Sequence, residues 1–495
     1  MTNIIEDYAT HSAFAQAAYG DFLNVVDEVT LRNALLENNL MTVTQATNFA
    51  SRYEIVAHQP NTEIEIGSEG GFSATVFRDK QTDELIFAVR GTEFPNLENG
   101  FSLSTLQKII NGGVDLISDI FDIGYDGLAV NQIADLYNFY LRLSAKTGEP
   151  IYQYEYDEID IGGSLIGAID FDNWEVTTLP PLSEDGPLVD KTFTVAGHSL
   201  GGHIASAFSR LAPSAVEAVY TYNAPGFDNI LPVLENQTEP FFQTLHDLEL
   251  QTSGSSNIET SGFVHQNLFN IVVEADLVSD IGTVTGERIV SFSEPEGVID
   301  TLLEKLIIGG KSHSIASLTD ALNVLNLMYQ IQPSFTVSEG NLILQSISNI
   351  KSDDTVLESL LDSFIKLLSI DKSTIDVEDI YTSINAIKEK VFVNPDSLVL
   401  VPNPEFQNLT ISSLTTTSND KTISFPVATL KAAAQNSIAY RYTLQELNTF
   451  VITGNDSIYD IHNQPDTNGV GPLDLYDPNT NTGTITELYL TDRAK

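Results

Sequence analysis

The chain has 495 residues, of which 42% are hydrophobic, and a formal net charge of −45 with no cysteine. A length and composition of this kind predict a globular protein of about three domains. The negative charge makes nucleic acid and anionic bilayers repulsive partners, and the absence of cysteine excludes both disulfides and a thiol nucleophile.

A buried strand is predicted over residues 85–89, where Leu-Ile-Phe-Ala-Val forms an unbroken apolar run. The run ends in Arg-Gly-Thr-Glu at residues 90–93. Gly91 permits a close approach of the backbone, and the N–H of Thr92 can then donate a hydrogen bond at the end of the strand. Thr92 is therefore a candidate donor to the negative charge that develops on a reacting carbonyl oxygen.

Two segments look like insertions between the expected strands and helices. Residues 101–130 repeat apolar side chains at helical spacing, which favours either a mobile amphipathic lid or a helix packed on the core. Gly112 and Gly113 would weaken a continuous helix there, or serve as its hinge. Residues 151–190 contain several tyrosines, the only tryptophan and a Pro-Pro pair. We expect a small β-rich excursion that packs on itself, with an aromatic cover of the site mouth as the alternative.

The most informative motif is Gly-His-Ser-Leu-Gly at residues 197–201. An apolar, β-branched run precedes it at residues 192–196, and residues 203–211 repeat apolar side chains on one helical face. The motif therefore predicts a strand that turns sharply into a helix. In such a nucleophile elbow the serine lies in a strained turn, which makes Ser199 a candidate nucleophile.

The residues around Ser199 fit the same interpretation. Gly197 and Gly201 are required because a side chain at either position would collide with the neighbouring strand or helix. The helix that follows directs its free N–H groups toward the reacting atoms. The N–H of Leu200 is accordingly the candidate oxyanion donor that acts together with Thr92. An ordinary strand–helix turn is the alternative interpretation.

A serine hydroxyl needs a base that takes its proton, and a carboxylate that orients the base. For an elbow of this kind, the acid and then the base follow the serine along the chain. Residues 270–275 predict a core strand, and Asp276 follows at its end. Asp276 is the candidate acid. Asp280 is the reserve candidate, whereas Glu274 lies within the strand, where its side chain is poorly placed to reach the loop.

Two of the eight histidines, His313 and His462, lie beyond the candidate acid. His313 occurs in Gly-Gly-Lys-Ser-His-Ser at residues 309–314, between two helical patterns, and a loop position suits a base. His462 occurs in a turn-rich segment, where surface exposure explains it. His313 is the candidate base, and an exposed loop histidine without a catalytic role is the alternative.

The pattern changes beyond about residue 330. Helical periodicity is followed, from residue 392 onward, by alternating and turn-rich sequence. We therefore predict an α/β domain over residues 1–330 and a separate carboxy-terminal α+β domain over residues 331–495. The tail resembles a calcium-binding loop with displaced positions, so structural calcium is a hypothesis for this segment. Its candidate ligands and turn residues are Asp474, Asp477, Asn479, Asn481, Gly483 and Glu487.

Four motifs, in this order along the chain, resemble the lipase class 3 family of α/β-hydrolases. They are Arg-Gly-Thr-Glu at 90–93, Gly-His-Ser-Leu-Gly-Gly at 197–202, Tyr-Asn-Ala-Pro-Gly at 222–226 and Asp-Leu-Val at 276–278. The resemblance extends over residues 5–330, because residues 13–19 are similar to the family's opening helix. The family commonly has Gly where this chain has Asn223, and Pro where it has Leu277.

The resemblance implies an α/β-hydrolase fold with a central, mostly parallel sheet flanked by helices. It further implies hydrolysis of the carboxylic esters of triacylglycerols or phospholipids, through an acyl-enzyme on Ser199 with His313 as base and then acid. No catalytic cofactor or metal is implied. The expected partner is a lipid or a lipid–water interface, while head-group preference and oligomeric state stay open. The alternative is a catalytically idle hydrolase-fold module of a secreted or cell-surface binding protein.

The sequence also bears on location. Residues 1–7 contain no basic segment followed by an apolar one, and no run of about 18 apolar residues occurs in the chain. We therefore expect neither a signal peptide nor a transmembrane helix. The acidic, cysteine-free composition resembles that of proteins exported by type I secretion, although the glycine-rich calcium-binding nonapeptides of such proteins are lacking. We expect secretion without an amino-terminal signal, with a cytoplasmic location or a fragment of a longer secreted protein as alternatives.

Overall fold

The computed structural model divides the chain into two compact units. The amino-terminal unit comprises Thr10–Val290 and Asp300–Ala316, and the carboxy-terminal unit comprises Met1–Ala9, Ser291–Ile299 and Ser317–Lys495. The domain boundary predicted near residue 330 stays a prediction. The structure describes residues 4–60, 72–91, 128–156, 173–227, 237–263, 267–274, 276, 278–280, 282–283, 285–292, 313–348, 355–376, 379–393, 399–402, 410–413, 421–424, 436–446 and 448–474.

A seven-stranded sheet forms the centre of the amino-terminal unit, in the order β1-β2-β3-β6-β7-β8-β9. Strands β4 and β5 form a separate antiparallel hairpin. The strands are β1 (Tyr53–Gln59), β2 (Ala74–Asp79), β3 (Leu85–Val89), β4 (Ile151–Tyr156), β5 (Trp174–Leu179), β6 (Phe193–His198), β7 (Val216–Tyr222), β8 (Leu268–Val273) and β9 (Glu287–Ser291).

The middle of the sheet is parallel. Strands β1, β2 and β3 pair antiparallel, whereas β3, β6, β7 and β8 pair parallel. All five residues of β3 are buried, as expected for a strand covered on both faces. The predicted α/β architecture, with a mostly parallel central sheet flanked by helices, is confirmed. Because parallel strands end at the same edge of a sheet, the residues that follow β3, β6 and β8 come close together there.

Helices flank this sheet. They are α1 (Ile4–Ala17), α2 (Glu28–Leu36), α3 (Val43–Arg52), α4 (Val130–Leu143), α5 (Leu200–Leu211) and α6 (Thr238–Ser253). Phe208 of α5 packs edge-on against Phe87 of β3, with ring centroids 5.0 Å apart, and against Tyr140 of α4. This aromatic cluster fixes α5, and therefore the residue that precedes it, against the sheet.

The hairpin of β4 and β5 accounts for half of the described part of the segment 151–190. It pairs with itself, and its inner face also packs on the unit's core. Tyr154 stacks on Tyr137 of α4, and Trp174 lies 6.0 Å from Phe241 of α6 by ring centroids. Residues 157–172 lie outside the described residues.

The carboxy-terminal unit contains helices followed by short strand pairs. Strand β10 pairs antiparallel with β13, and β11 with β12. Phe364 stacks on Phe450 with ring centroids 4.5 Å apart, which joins a helix to a strand. The elements from residue 315 onward are α7 (Ile315–Ile331), α8 (Val337–Ser348), α9 (Val356–Leu367), α10 (Ile380–Val393), β10 (Val399–Pro402), β11 (Thr410–Ser413), β12 (Lys421–Ser424), α11 (Ile438–Glu446) and β13 (Phe450–Thr453). Among the described helices, none has the length and apolar character needed to cross a membrane.

Candidate active site

The predicted strand–turn–helix connection is present at Ser199. Strand β6 ends at His198, α5 begins at Leu200, and Ser199 between them has φ 55° and ψ −131°. A positive φ is strained for any residue with a side chain. Hydrogen bonds hold the turn: the Ser199 N–H donates to the carbonyl of Tyr222 at 2.9 Å, and the Ser199 carbonyl accepts from the N–H of Gly202 at 2.9 Å.

Two glycines make this turn sterically feasible. A Cβ on Gly197 would lie 2.2 Å from the carbonyl oxygen of Gly201. A Cβ on Gly201 would lie 2.4 Å from the carbonyl oxygen of Val89, at the end of β3. Both neighbouring atoms belong to the backbone and cannot rotate away. The end of β3, the end of β6 and the start of α5 are therefore in direct contact.

Three side chains singled out in the sequence meet at the turn. The Oγ of Ser199 lies 2.9 Å from Nε2 of His313, and Nδ1 of His313 lies 2.8 Å from Oδ1 of Asp276. All three are buried. They come from the end of β6, the loop after β8 and the residues just before α7. The geometry is that of a nucleophile, a base and an orienting acid joined by two hydrogen bonds.

The carboxylate of Asp276 is held on both oxygens. Oδ1 accepts from His313, while Oδ2 accepts from the backbone N–H of Ser279 at 2.9 Å. The Ser279 hydroxyl in turn donates to the carbonyl of Asp276 at 3.1 Å. A buried charge is tolerated where it is paired and hydrogen-bonded. The short 3-10 helix Val278–Asp280 thus fixes the orientation of the acid.

The alternative candidates have other surroundings. Glu274 is exposed, and Asp280 ends the 3-10 helix, with its side chain outside the described residues. His462 lies in the carboxy-terminal unit, where its Nε2 donates to the carbonyl of Leu367 at 2.8 Å.

The structure describes one of the two predicted oxyanion donors, Leu200. Leu200 is the first residue of α5, and the first N–H groups of a helix have no acceptor within the helix. The second candidate donor, Thr92, lies outside the described residues, as do residues 101–127 of the predicted lid. The pairing of Leu200 with Thr92 stays a prediction.

Metal ligation was a hypothesis for the tail. Within the described ranges, no group of three or more His, Asp or Glu side chains could hold a metal ion. Of the candidate calcium ligands, only Asp474 is described, and it accepts hydrogen bonds from Asn463 and Arg441. The calcium hypothesis stays a prediction.

Asn223 has a backbone conformation that most residues with a side chain avoid. Its backbone has φ 47°, in the left-handed region that glycine favours and asparagine tolerates better than most residues. Its N–H donates to the carbonyl of Ile271, and its Oδ1 accepts from the N–H of Val273, both at 2.9 Å. Asparagine therefore suits the positive φ at this position, and its two hydrogen bonds connect the end of β7 to β8.

Two histidines of the elbow have roles that the sequence does not reveal. His198 lies 2.7 Å through Nε2 from the carbonyl oxygen of His313, and 2.8 Å through Nδ1 from the hydroxyl of Tyr19. His203 donates from Nδ1 to the carbonyl of Gly226 at 3.0 Å and stacks on Phe227. Burial lowers the pKa of His203 to about 4 and the pKa of His198 well below its ordinary value. Both imidazoles are therefore neutral near neutral pH.

Comparisons with models of known protein families and with curated proteins give no match for this chain.

Replacement of Gly201 tests the packing of the elbow. Gly201→Ala should lower the free energy of unfolding by about 3 kcal/mol or more, because its Cβ meets only backbone atoms. Urea unfolding can be followed by the fluorescence of Trp174, which lies in the same unit. Gly148→Ala is the control: its φ is 79° in open space, so it should cost about 1 kcal/mol. Equal losses at the two positions would contradict the close contact.

The neutral state of His203 predicts a dependence of stability on pH. The unfolded chain binds a proton at His203 below about pH 6.5, whereas the folded chain binds it only near its pKa of about 4. The contribution of His203 is therefore present above pH 6.5 and is lost as the pH falls toward 4. Between pH 8 and pH 5 the stability difference between wild type and His203→Asn should shrink by about 2 kcal/mol. A constant difference in urea unfolding would mean that folding does not lower the pKa of His203.

Proposed function

We propose that this protein is a serine hydrolase of an α/β-hydrolase fold, which cleaves the carboxylic esters of lipids through an acyl-enzyme on Ser199. The observation that carries the proposal is the pair of hydrogen bonds that joins Ser199, His313 and Asp276. The strained backbone of Ser199 supports it as well, because unfavourable φ values persist where the surroundings enforce them, and they cluster at active sites.

The first half-reaction is acylation. Nε2 of His313 takes the proton of the Ser199 hydroxyl while Oγ attacks the ester carbonyl carbon. The carbonyl oxygen becomes negative and accepts the N–H of Leu200, with Thr92 as the proposed second donor. When the tetrahedral intermediate collapses, the C–O bond to the alcohol breaks and His313 gives its proton to the departing oxygen. The acyl group is then bound to Ser199.

Deacylation repeats these steps with water. His313 removes a proton from a water molecule, whose oxygen attacks the acyl carbon, and the proton then passes to Oγ of Ser199 as the acid leaves. Asp276 keeps Nδ1 of His313 protonated and stabilises the imidazolium at each stage. Its second oxygen is held by Ser279, so the carboxylate does not rotate away when the charge on His313 changes.

The substrate class rests on the motif order and on charge. The four motifs resemble a family that hydrolyses triacylglycerols or phospholipids. A net charge of −45 disfavours strongly anionic substrates and surfaces. A neutral or zwitterionic lipid surface, approached through apolar contacts, is therefore the proposed substrate.

The nucleophile is tested by a fluorescent fluorophosphonate, which labels activated serines irrespective of the acyl chain. We expect labelling of the wild type and none of Ser199→Ala. Hydrolysis of p-nitrophenyl butyrate should fall by up to about a million-fold, as for the loss of a serine nucleophile elsewhere. Urea unfolding should show that the variant remains folded. An unlabelled wild type would favour the alternative, a binding module with an idle hydrolase fold.

The base and the acid are tested by matched pairs of substitutions. His313→Ala should abolish ester hydrolysis, whereas His462→Ala should leave it unchanged. Asp276→Asn should lower kcat by about 10⁴-fold, because the base would lose its orienting carboxylate, and Asp280→Asn should have little effect. The reverse ranking in either pair, measured with p-nitrophenyl butyrate, would overturn the assignment of that role.

A further inference from the structure

A second set of hydrogen bonds reaches the backbone of the candidate base, His313. The carbonyl oxygen of His313 accepts from Nε2 of His198, and Nδ1 of His198 accepts from the hydroxyl of Tyr19. Tyr19 follows α1, and His198 is the last residue of β6. The chain of contacts therefore connects the backbone of the base to the strand that carries the nucleophile.

The partners determine how the ring of His198 is protonated. A carbonyl oxygen can only accept, so Nε2 of His198 carries the hydrogen in the 2.7 Å contact with His313. Nδ1 of the neutral ring then has a lone pair, and the Tyr19 hydroxyl, at 2.8 Å, donates to it. The carbonyl of His313 thus fixes the tautomer of His198, and the hydrogen bond from Tyr19 stabilises that tautomer.

The surrounding backbone leaves room for this arrangement. A Cβ on Gly91 would lie 2.6 Å from the hydroxyl of Tyr19 and 2.4 Å from the carbonyl oxygen of His198. The guanidinium of Arg90 lies 5.8 Å from the centre of the Tyr19 ring, within the range of a cation–π contact. The glycine of the Arg-Gly-Thr motif is therefore needed for the position of Tyr19 as well as for the approach of β3 to the elbow.

The hydrogen bond from His198 to the carbonyl of His313 matters because the two side-chain hydrogen bonds of His313, to Ser199 and Asp276, do not fix its backbone. A base must keep its Nε2 within hydrogen-bond reach of Oγ throughout the reaction, and an error of about 1 Å can cost about 10²-fold in rate. The bond from His198 fixes the main chain of the base relative to Ser199, the next residue after His198. The imidazole rings of His198 and His313 also lie 4.8 Å apart, which limits tilting of the base.

We propose that Tyr19 and His198 are positioning residues, which hold the main chain of His313 so that its imidazole stays aligned with Ser199. The inference rests on the proposed hydrolase function, since the alignment has a purpose only if His313 acts as a base. It assigns a role to the histidine of the Gly-His-Ser-Leu-Gly motif and to a tyrosine 180 positions before the nucleophile.

The test uses the full chain, p-nitrophenyl butyrate and the fluorophosphonate. Tyr19→Phe removes one hydroxyl and should lower kcat about tenfold, because one hydrogen bond is lost, with KM within about twofold. His198→Leu should lower kcat by about 10²-fold. His198→Gln should recover much of that loss, because its amide N–H can donate to the carbonyl of His313. Fluorophosphonate labelling rates should fall in the same order.

Tyr154→Phe is the matched control. It also removes a buried tyrosine hydroxyl, which contacts Thr252 at 2.9 Å, and it should leave kcat unchanged. If His198→Leu fails to fold, Tyr19→Phe and His198→Gln still decide the matter. Wild-type kcat in Tyr19→Phe, or an effect on KM alone, would overturn the positioning role while leaving the hydrolase in place. A wild type without hydrolysis or labelling would overturn both proposals.

Discussion

The left-handed backbone of Ser199 is the constraint on which the rest of the site depends. For a residue with a side chain, a φ of 55° costs about 1–3 kcal/mol of conformational energy. The residues around Ser199 must therefore enforce this conformation. Enforcement comes from the contact of Gly197 with Gly201 and from the end of β3, where any added Cβ would meet backbone. These contacts in turn require β3 and β6 to be parallel neighbours, because the two strands then end side by side.

Of the three buried histidines at the site, only His313 faces a carboxylate, that of Asp276, with which it can form an ion pair. His198 and His203 are buried and neutral, since burial penalises their charged forms. When His313 accepts the proton of Ser199 in the proposed mechanism, the carboxylate of Asp276 faces it at 2.8 Å. The neighbouring neutral imidazoles add no positive charge that would oppose this protonation. Different partners thus distinguish chemically identical side chains: His313 faces a carboxylate, whereas His198 and His203 face backbone carbonyl oxygens.

Much of the site could be predicted from sequence because its signals are local. The elbow is a short run with a change from strand to helical periodicity, and Asp276 and His313 follow from chain order and from their places at element ends. The position of Tyr19 and the role of His198 could not be predicted. The hydrogen bond from Tyr19 to His198 spans 179 positions of the chain and the bond from His198 to His313 spans 115, and contacts over such separations leave no local pattern. Likewise, the positive φ of Asn223 and its side-chain hydrogen bond to the N–H of Val273, 50 positions away, could not be predicted from the sequence around it.

The candidate base, His313, lies three residues before the division between the two units. His313 belongs to the amino-terminal unit, but α7 starts at Ile315 and the division between the units falls after Ala316. A chain cut at that division would retain the base and lose nearly all of the helix that follows it. Removal of the segment after Ala316 would therefore also remove most of the helix that directly follows His313, and a shortened chain that keeps the whole of α7 must extend to Ile331.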